Sequence, residues 1–300
     1  GECGGSAEVD ECGVCDGNGI VDGACDCAGN VEDCLGECGG DAYVDNCGTC
    51  DSDVFNDCVD YTIELDGIDL ISFYALPENN SIENIMSDAL DSEYIGVLGE
   101  GLSAYYINDM WLGTLMSFEV DDGYWVKIDQ ESASLNIEGT PTDPSTMFSL
   151  HEGSNLISYP FSVSDSVSLA VPENVQDVLI GIMGEGESAM NTDGVWLGTM
   201  THLSGTKGYW FITTEPIDFV YNAPSSGTLF RLAELPEPPQ LLQFTQSMNQ
   251  YFYLITEAVV DDVELATGDW LVAKCNDTVV GSRQYVAGST IDIPIMGYVN

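Results

Sequence analysis

The chain has 300 residues, of which 51 are acidic and five are lysine or arginine, and its net charge is −46. This balance argues against binding DNA or RNA, which requires many basic side chains, and against anionic membrane surfaces. No run of about eighteen apolar residues is present, so no transmembrane helix is expected. Apolar residues make up 44% of the chain, enough for hydrophobic cores, so we expect a folded protein whose surface charge is offset by bound divalent cations or by high external salt.

Residues 1–59 form a cysteine-rich segment with an internal repeat. Residues 2–19 align with residues 37–54 at an offset of 35. Apolar residues are sparse here, so hydrophobic burial cannot offset the chain entropy. We predict that disulfides hold the segment, with zinc bound by the two C-x-x-C motifs as the alternative. The ten cysteines concerned are Cys3, Cys12, Cys15, Cys25, Cys27, Cys34, Cys38, Cys47, Cys50 and Cys58.

The same segment carries oxygen-bearing side chains at relative positions 1, 3 and 7, in two sets related by the offset of 35. They are Asp16, Asn18 and Asp22 in the first set and Asp51, Asp53 and Asp57 in the second. Such a spacing can wrap calcium, which takes six to eight oxygen ligands. The alternative is that these aspartates are solvated turn residues.

The first set resembles a known calcium-binding repeat. The stretch "DGNGIVD", followed by Asp26, is similar to the thrombospondin type 3 repeat, which has a D-x-[DN]-G-x-x-D core and interspersed cysteines. It is not an EF-hand, because position 12 of the first copy is Cys27 and not a bidentate Glu. The second stretch, "DSDVFND", departs from the family pattern because it lacks the glycines. The resemblance implies that calcium is the cofactor of this segment.

Two copies of a larger module follow, at residues 60–141 and 142–225. The motifs LIS, GEG, WLGT and GYW occur in both copies, in the same order, at offsets of 86 and then 85. Each copy begins with a β-type run, at 70–74 and 156–159. A short helix is then predicted at 81–90 and at about 166–178, followed by strands with glycine turns. The order LISxP…W…GYW resembles a mostly β spacer module of secreted bacterial and archaeal surface proteins.

Each module contains two tryptophans, which are Trp111 and Trp125, and Trp196 and Trp210. We expect them to be core residues, and the alternative is that they form platforms on which sugars stack. Four positions fit short glycosylation patterns, namely Asn79, Ser166, Asn276 and Thr278.

Residues 226–300 are predicted to be a proline-rich linker followed by a β-sandwich-like module. The core "GDWLVAK…VVGSR…IPIMG" resembles β modules of proteins exported by bacterial type IX secretion. Such modules normally continue beyond "MGYVN", so we expect either that the polypeptide is trimmed or that another subunit supplies a strand. Cys275 is predicted to be a free buried thiol or to pair outside the chain.

An enzyme is not expected, because the only histidines, His151 and His202, lie in no recognisable catalytic motif. The sequence predicts a mainly β, multidomain, extracellular or cell-surface structural protein. We expect it to be a calcium-stabilised unit that associates with itself head to tail into a filament or stalk. The alternative is a carbohydrate-binding adhesin portion of a larger surface protein, with glycans as partners.

Overall fold

The computed structural model describes residues 5, 8–45, 47–53, 56–224 and 235–297. It is mainly β, with 42% strand and 6% helix, which confirms the predicted fold class. The chain divides into two compact units, residues 1–59 and 60–300. Within the ranges above, no helix has the length and apolar character needed to cross a membrane.

The first unit has little regular structure and is held by disulfides. Its two strands, β1 (Tyr43–Val44) and β2 (Cys50–Asp51), pair antiparallel. Four bridges have both of their cysteines among the described residues, and they join Cys12 to Cys27, Cys25 to Cys38, Cys34 to Cys50 and Cys47 to Cys58. Each bridge begins before the preceding one ends, so the loops overlap along the chain. Cys15 is also disulfide-bonded, and Cys3 lies outside the described residues. These bridges indicate an oxidising, secreted environment.

A turn built on an aspartate recurs in this unit. It occurs four times in the described residues, where the carboxylates of Asp10, Asp26, Asp33 and Asp45 each accept a hydrogen bond from the backbone N–H four residues later, at 2.7, 3.0, 2.9 and 2.7 Å. Three residues after each aspartate stands a glycine with φ near +80°. Because that left-handed conformation favours glycine, the repeat has the form D-x-x-G, which is finer than the 35-residue offset.

Two of these turns, at Asp10 and Asp33, are further closed by the second oxygen of the same carboxylate, which accepts from a backbone N–H nine residues later. Asp10 also accepts from the Gly19 N–H at 2.9 Å, and Asp33 accepts from the Ala42 N–H at 3.3 Å. The hydrogen bonds from Val14 and Gly19 lower the pKa of Asp10, and those from Glu37 and Ala42 lower the pKa of Asp33. The turns therefore stabilise the ionised form of these two carboxylates, and the ionised carboxylates in turn stabilise the turns.

The first tandem module contains a five-stranded antiparallel sheet of order β4-β9-β6-β7-β8 and a second sheet of order β3-β10-β5. Its hydrophobic core lies between them and includes Phe73, Phe118 and Leu135. The strands are β3 (Val59–Leu65), β4 (Ile68–Ser72), β5 (Ala75–Leu76), β6 (Tyr94–Leu98), β7 (Ser103–Ile107), β8 (Met110–Gly113), β9 (Gly123–Ile128) and β10 (Ala133–Pro141).

The second module repeats this arrangement. Its five-stranded sheet has the order β12-β18-β14-β15-β16, which matches the first module strand for strand, and two strand pairs, β11-β19 and β13-β17, accompany it. The strands are β11 (Phe148–Leu150), β12 (Gly153–Ile157), β13 (Asp165–Ser166), β14 (Leu179–Met183), β15 (Ser188–Thr192), β16 (Val195–Gly198), β17 (His202–Leu203), β18 (Tyr209–Thr213) and β19 (Ile217–Phe219).

The predicted helices are present but shorter and broken. The first is α1 (Ile82–Ile85) followed by a 3-10 helix, Ser87–Ala89. The second divides into α2 (Val167–Ala170) and α3 (Glu173–Gln176). Pro172 lies between α2 and α3, and because proline has no N–H to continue a helix, the chain starts a new one there.

The C-terminal module is built from three antiparallel strand pairs, β20-β25, β21-β22 and β23-β24. Strands β24 and β25 approach closely at Gly281, where a Cβ would lie 1.6 Å from the Pro294 carbonyl oxygen. The predicted linker falls mainly on residues 225–234, outside the described residues, and a 3-10 helix at Gln240–Leu242 precedes the strands. The strands are β20 (Gln250–Ile255), β21 (Val259–Val260), β22 (Val263–Glu264), β23 (Trp270–Cys275), β24 (Thr278–Gln284) and β25 (Ile291–Met296).

Candidate functional site

The first set of predicted calcium ligands lies on the surface of the cysteine-rich unit. Asp16, Asn18 and Asp22 are exposed, and within the described residues their side chains accept no hydrogen bond. Asp16 has a φ of 55°, a left-handed conformation that aspartate tolerates in turns. The oxygens of this set are therefore open to a hard cation.

The second set is already engaged in hydrogen bonds. Asp51 accepts from the Asp53 N–H at 2.8 Å and from Asn56 Nδ2 at 3.0 Å, and these bonds lower the pKa of Asp51. Asp57 accepts from the Tyr43 hydroxyl, which raises the pKa of Tyr43 to about 12. Across the described parts of the chain, no group of three or more His, Cys, Asp or Glu side chains is placed to hold a metal ion. The first set, with two carboxylates and one amide, fits a cation better than the second.

The two tandem modules pack against each other through their GEG turns. Glu100, in the turn of the first module, accepts a hydrogen bond from the Leu156 N–H at 2.8 Å. Its counterpart Glu185, in the turn of the second module, accepts from the Leu70 N–H at 3.1 Å. Leu70 and Leu156 are themselves counterparts, so each module binds the other with the same pair of positions. This reciprocity is that of an isologous interface between two identical subunits.

The LIS motifs extend the same reciprocity. Ser72 Oγ donates to the Lys207 carbonyl at 2.7 Å, and its counterpart Ser158 donates to the Val120 carbonyl at 2.5 Å. The backbone N–H groups of both serines also donate across the interface, at 3.2 and 3.1 Å. The repeated motifs thus mark contacts between the modules in addition to strands within them.

A hydrophobic cluster fills the centre of this interface. Leu70, Leu156 and Trp125 are buried in it, and Trp210 packs against it. Trp125 and Trp210 are counterparts from the two GYW motifs. Both contribute to this cluster, Trp125 as a buried residue and Trp210 as a partly buried one, as the predicted core role requires. The remaining pair, Trp111 and Trp196, is only half-buried.

The second GEG turn has another partner, the C-terminal module. The Gln250 side chain spans the turn, since its Nε2 donates to the Gly184 carbonyl at 2.5 Å and its Oε1 accepts from the Gly186 N–H at 3.0 Å. The Arg283 guanidinium donates to the Gly186 carbonyl. Main-chain groups of the turn are therefore recognised by side chains of strands β20 and β24.

A buried carboxylate completes this contact. Asp292 accepts hydrogen bonds from Ser188 Oγ at 3.1 Å and from the Thr199 N–H at 2.8 Å, and Arg283 Nη2 lies 3.7 Å from it. Burial, followed by the charge of Asp292, raises the pKa of the neighbouring Glu187 to about 7. The buried Arg283 therefore lies among carboxylates, and its positive charge compensates their negative charge.

The corresponding surface of the first module has no such cover in the described residues. Ser188 is completely buried, whereas its counterpart Ser103 is half-buried, and Thr114 is exposed where Thr199 is half-buried. Three apolar side chains stand out around these positions. They are Leu102, Leu112 and Met116, which are 46%, 54% and 70% exposed. We call these three residues the module-1 apolar face.

The other predicted residues are spread over the surface. Asn79, Asn276 and Thr278 are exposed, and Ser166 is half-buried in β13. Cys275 is free and exposed, so the predicted burial of this thiol is wrong. Cys275 is the last residue of β23, next to the turn that joins β23 to β24, and the side chains of this turn are exposed.

The two histidines are not brought together with each other. The exposed His151 has its Nε2 2.5 Å from Glu100 Oε1, and this hydrogen bond raises the pKa of His151. His202 lies in β17, with its Nδ1 2.9 Å from Thr201 Oγ1. His151 therefore belongs to the interface between the tandem modules.

Compared with known proteins, this chain matches no protein family, no curated protein and no solved structure.

Proposed function

We propose that the chain is an extracellular structural protein, a calcium-stabilised repeating unit that associates end to end into a filament or cell-surface stalk. The observation that carries this proposal is the module-1 apolar face. The second module has its equivalent surface covered by the C-terminal module, whereas the first module has the same scaffold, more apolar side chains and no cover in the described residues. Exposed apolar residues in a cluster are typical of interaction surfaces.

The partner that we propose for this face is the C-terminal module of a second copy. In β20, Gln250 contacts the second module, and the alternate residues Tyr251 and Tyr253 are 72% and 65% exposed. Strand β20 pairs with β25 on one side, and among the described strands none pairs with its other side. We propose that this open edge, with its two exposed tyrosines, binds the module-1 apolar face of the next copy. Such a head-to-tail contact gives an open filament unless it closes into a ring.

Exchanging residues between the modules tests this contact with little risk to the fold. The double substitution Leu102→Glu and Met116→Thr installs the residues that the second module has at Glu187 and Thr201. We expect the natural chain to form oligomers in sedimentation velocity and fibres in electron microscopy, at about 2 mM calcium and about 0.5 M salt, which screens its charge. We expect the double variant to stay monomeric with an unchanged circular dichroism spectrum.

The matched control is Leu169→Glu, which adds a charge at an exposed leucine of α2 in the second module. This variant should assemble like the natural chain. If the double variant assembles as strongly as the natural chain, the contact does not involve the module-1 apolar face. If the natural chain is monomeric at every protein and salt concentration, self-association itself is refuted.

Calcium is proposed to bind the first set of aspartates. Binding should protect residues 1–59 from protease, and a chelator should remove that protection, because the ion ties the exposed Asp16 and Asp22 together. The double substitution of both by asparagine should lose the protection, whereas Asp41→Asn, at an exposed aspartate outside both sets, should keep it. Calcium titration by calorimetry that shows no heat with the natural chain would contradict this site.

A further inference from the structure

We propose that the first tandem module binds a neutral oligosaccharide in a surface cleft between its short helix and the β7–β8 hairpin. The cleft has a volume of about 460 Å³ and is lined by Glu83, Leu90, Tyr106, Asp109, Met110 and Trp111. This inference is independent of self-association, because the cleft residues are distinct from the module-1 apolar face.

The cleft offers a sugar an aromatic surface. Tyr106 and Trp111 face each other across the two strands, with ring centroids 5.3 Å apart and ring planes at 49°. Both side chains are half-buried, since one side of each packs against the module's core, and Leu90 and Met110 extend the apolar area beside them. Half-buried aromatic rings with one polar end suit ligands that are apolar on one face and polar at the edge, as pyranose rings are.

The polar groups of the cleft suit hydroxyl ligands. The Glu83 and Asp109 carboxylates only accept hydrogen bonds when ionised, and sugar hydroxyls can donate to both. Within the described residues the Trp111 indole N–H has no acceptor, so it can donate to a sugar oxygen. Two carboxylates in a strongly acidic chain repel anionic sugars, which restricts the ligand class to neutral ones.

The second module supplies an internal comparison. Its equivalent cleft places Asn191 opposite Trp196, in the register that pairs Tyr106 with Trp111. There the Trp196 Nε1 donates to Gln176 Oε1 at 3.1 Å, so that indole is already satisfied. The duplicated scaffold therefore keeps a tryptophan at this register position in both modules, but of the two only Trp111 faces a second aromatic ring and has no indole acceptor within the described residues.

The experiment is a titration of the full chain with neutral tetrasaccharides of glucose and of mannose, and with tetragalacturonate as the anionic probe. Tryptophan fluorescence and calorimetry should detect binding of a neutral probe. Tyr106→Asn, which installs the residue of the second module, should weaken this binding about tenfold by removing one ring. Trp111→Phe should also weaken it, because the ring stays but the donor is lost.

Asn191→Ala, in the second cleft, is the matched control and should leave the affinity unchanged. Three results would overturn the proposal, each by itself. They are no binding of either neutral probe at millimolar concentration, binding that Tyr106→Asn leaves unchanged, and tetragalacturonate binding as tight as neutral binding. Circular dichroism of each variant shows whether a loss of binding reflects a loss of fold.

Discussion

Reduction of the disulfides is expected to unfold residues 1–59 while leaving residues 60–300 folded. The reason is that the first unit has almost no hydrophobic core, with Cys58 its only buried apolar residue among those described. Each bridge contributes about 2–4 kcal/mol, so four of them together contribute about as much as the total stability of an ordinary domain, which is about 5–15 kcal/mol. Limited proteolysis with and without a phosphine reductant, followed by mass spectrometry of the fragments, measures this.

Alkylation provides the control for this prediction. Without reductant, native and denatured protein should both be labelled at Cys275, and none of the bridged cysteines should react. The segment should also lose its protection when Cys34 and Cys50 are both replaced by alanine, because this bridge overlaps both of its neighbours. A reduced first unit that stays protease-resistant in the presence of a chelator would show that other forces hold it.

The substitution Asp292→Ala is expected to destabilise the contact between the C-terminal module and the second tandem module by about 3–5 kcal/mol. It removes the acceptor for Ser188 Oγ and the Thr199 N–H, and it leaves the buried Arg283 beside no compensating carboxylate at that position. Urea denaturation and protease cleavage after residue 235 report the loosening of the C-terminal module.

Two variants separate charge from packing at this position. Asp292→Asn keeps an oxygen for the Thr199 N–H but loses the charge, so we expect most of the same loss. The double variant Asp292→Leu with Arg283→Met removes both charges and should recover part of the stability, since a buried pair can be replaced by apolar residues. Equal stability of Asp292→Ala and the natural chain would mean that the contact does not depend on this carboxylate.

Strands and repeats could be predicted from the sequence because each depends on local patterns. The motifs LIS, WLGT and GYW lie on strands β4, β8 and β9, and on their counterparts in the second module. The helices are shorter than predicted, and in the second one the break comes from Pro172, which has no N–H to continue α2.

Contacts between the modules could not be predicted, because they join residues far apart in the sequence. Glu100 and Glu185 were noticed only as parts of a repeated GEG motif, although repetition of a charged residue between two glycines was a signal of a shared contact. Arg283, one of five cations in the chain, was a similar signal for a buried acidic partner. In the first unit, the aspartates that shape the turns are Asp10, Asp26, Asp33 and Asp45, and none of them belongs to the two predicted sets of calcium ligands.

The overlapping bridges have a mechanical consequence. Without them, the stretch from Cys12 to Cys58 could be drawn out under tension to about 160 Å. With them, the shortest covalent path crosses four bridges whose Cα atoms are 5.4–5.9 Å apart and steps back between them, from Cys27 to Cys25, from Cys38 to Cys34 and from Cys50 to Cys47. The contour length available to a pulling force is then about a third as long. An oxidised segment of this kind behaves as an inextensible tether, and its reduction would release the hidden length.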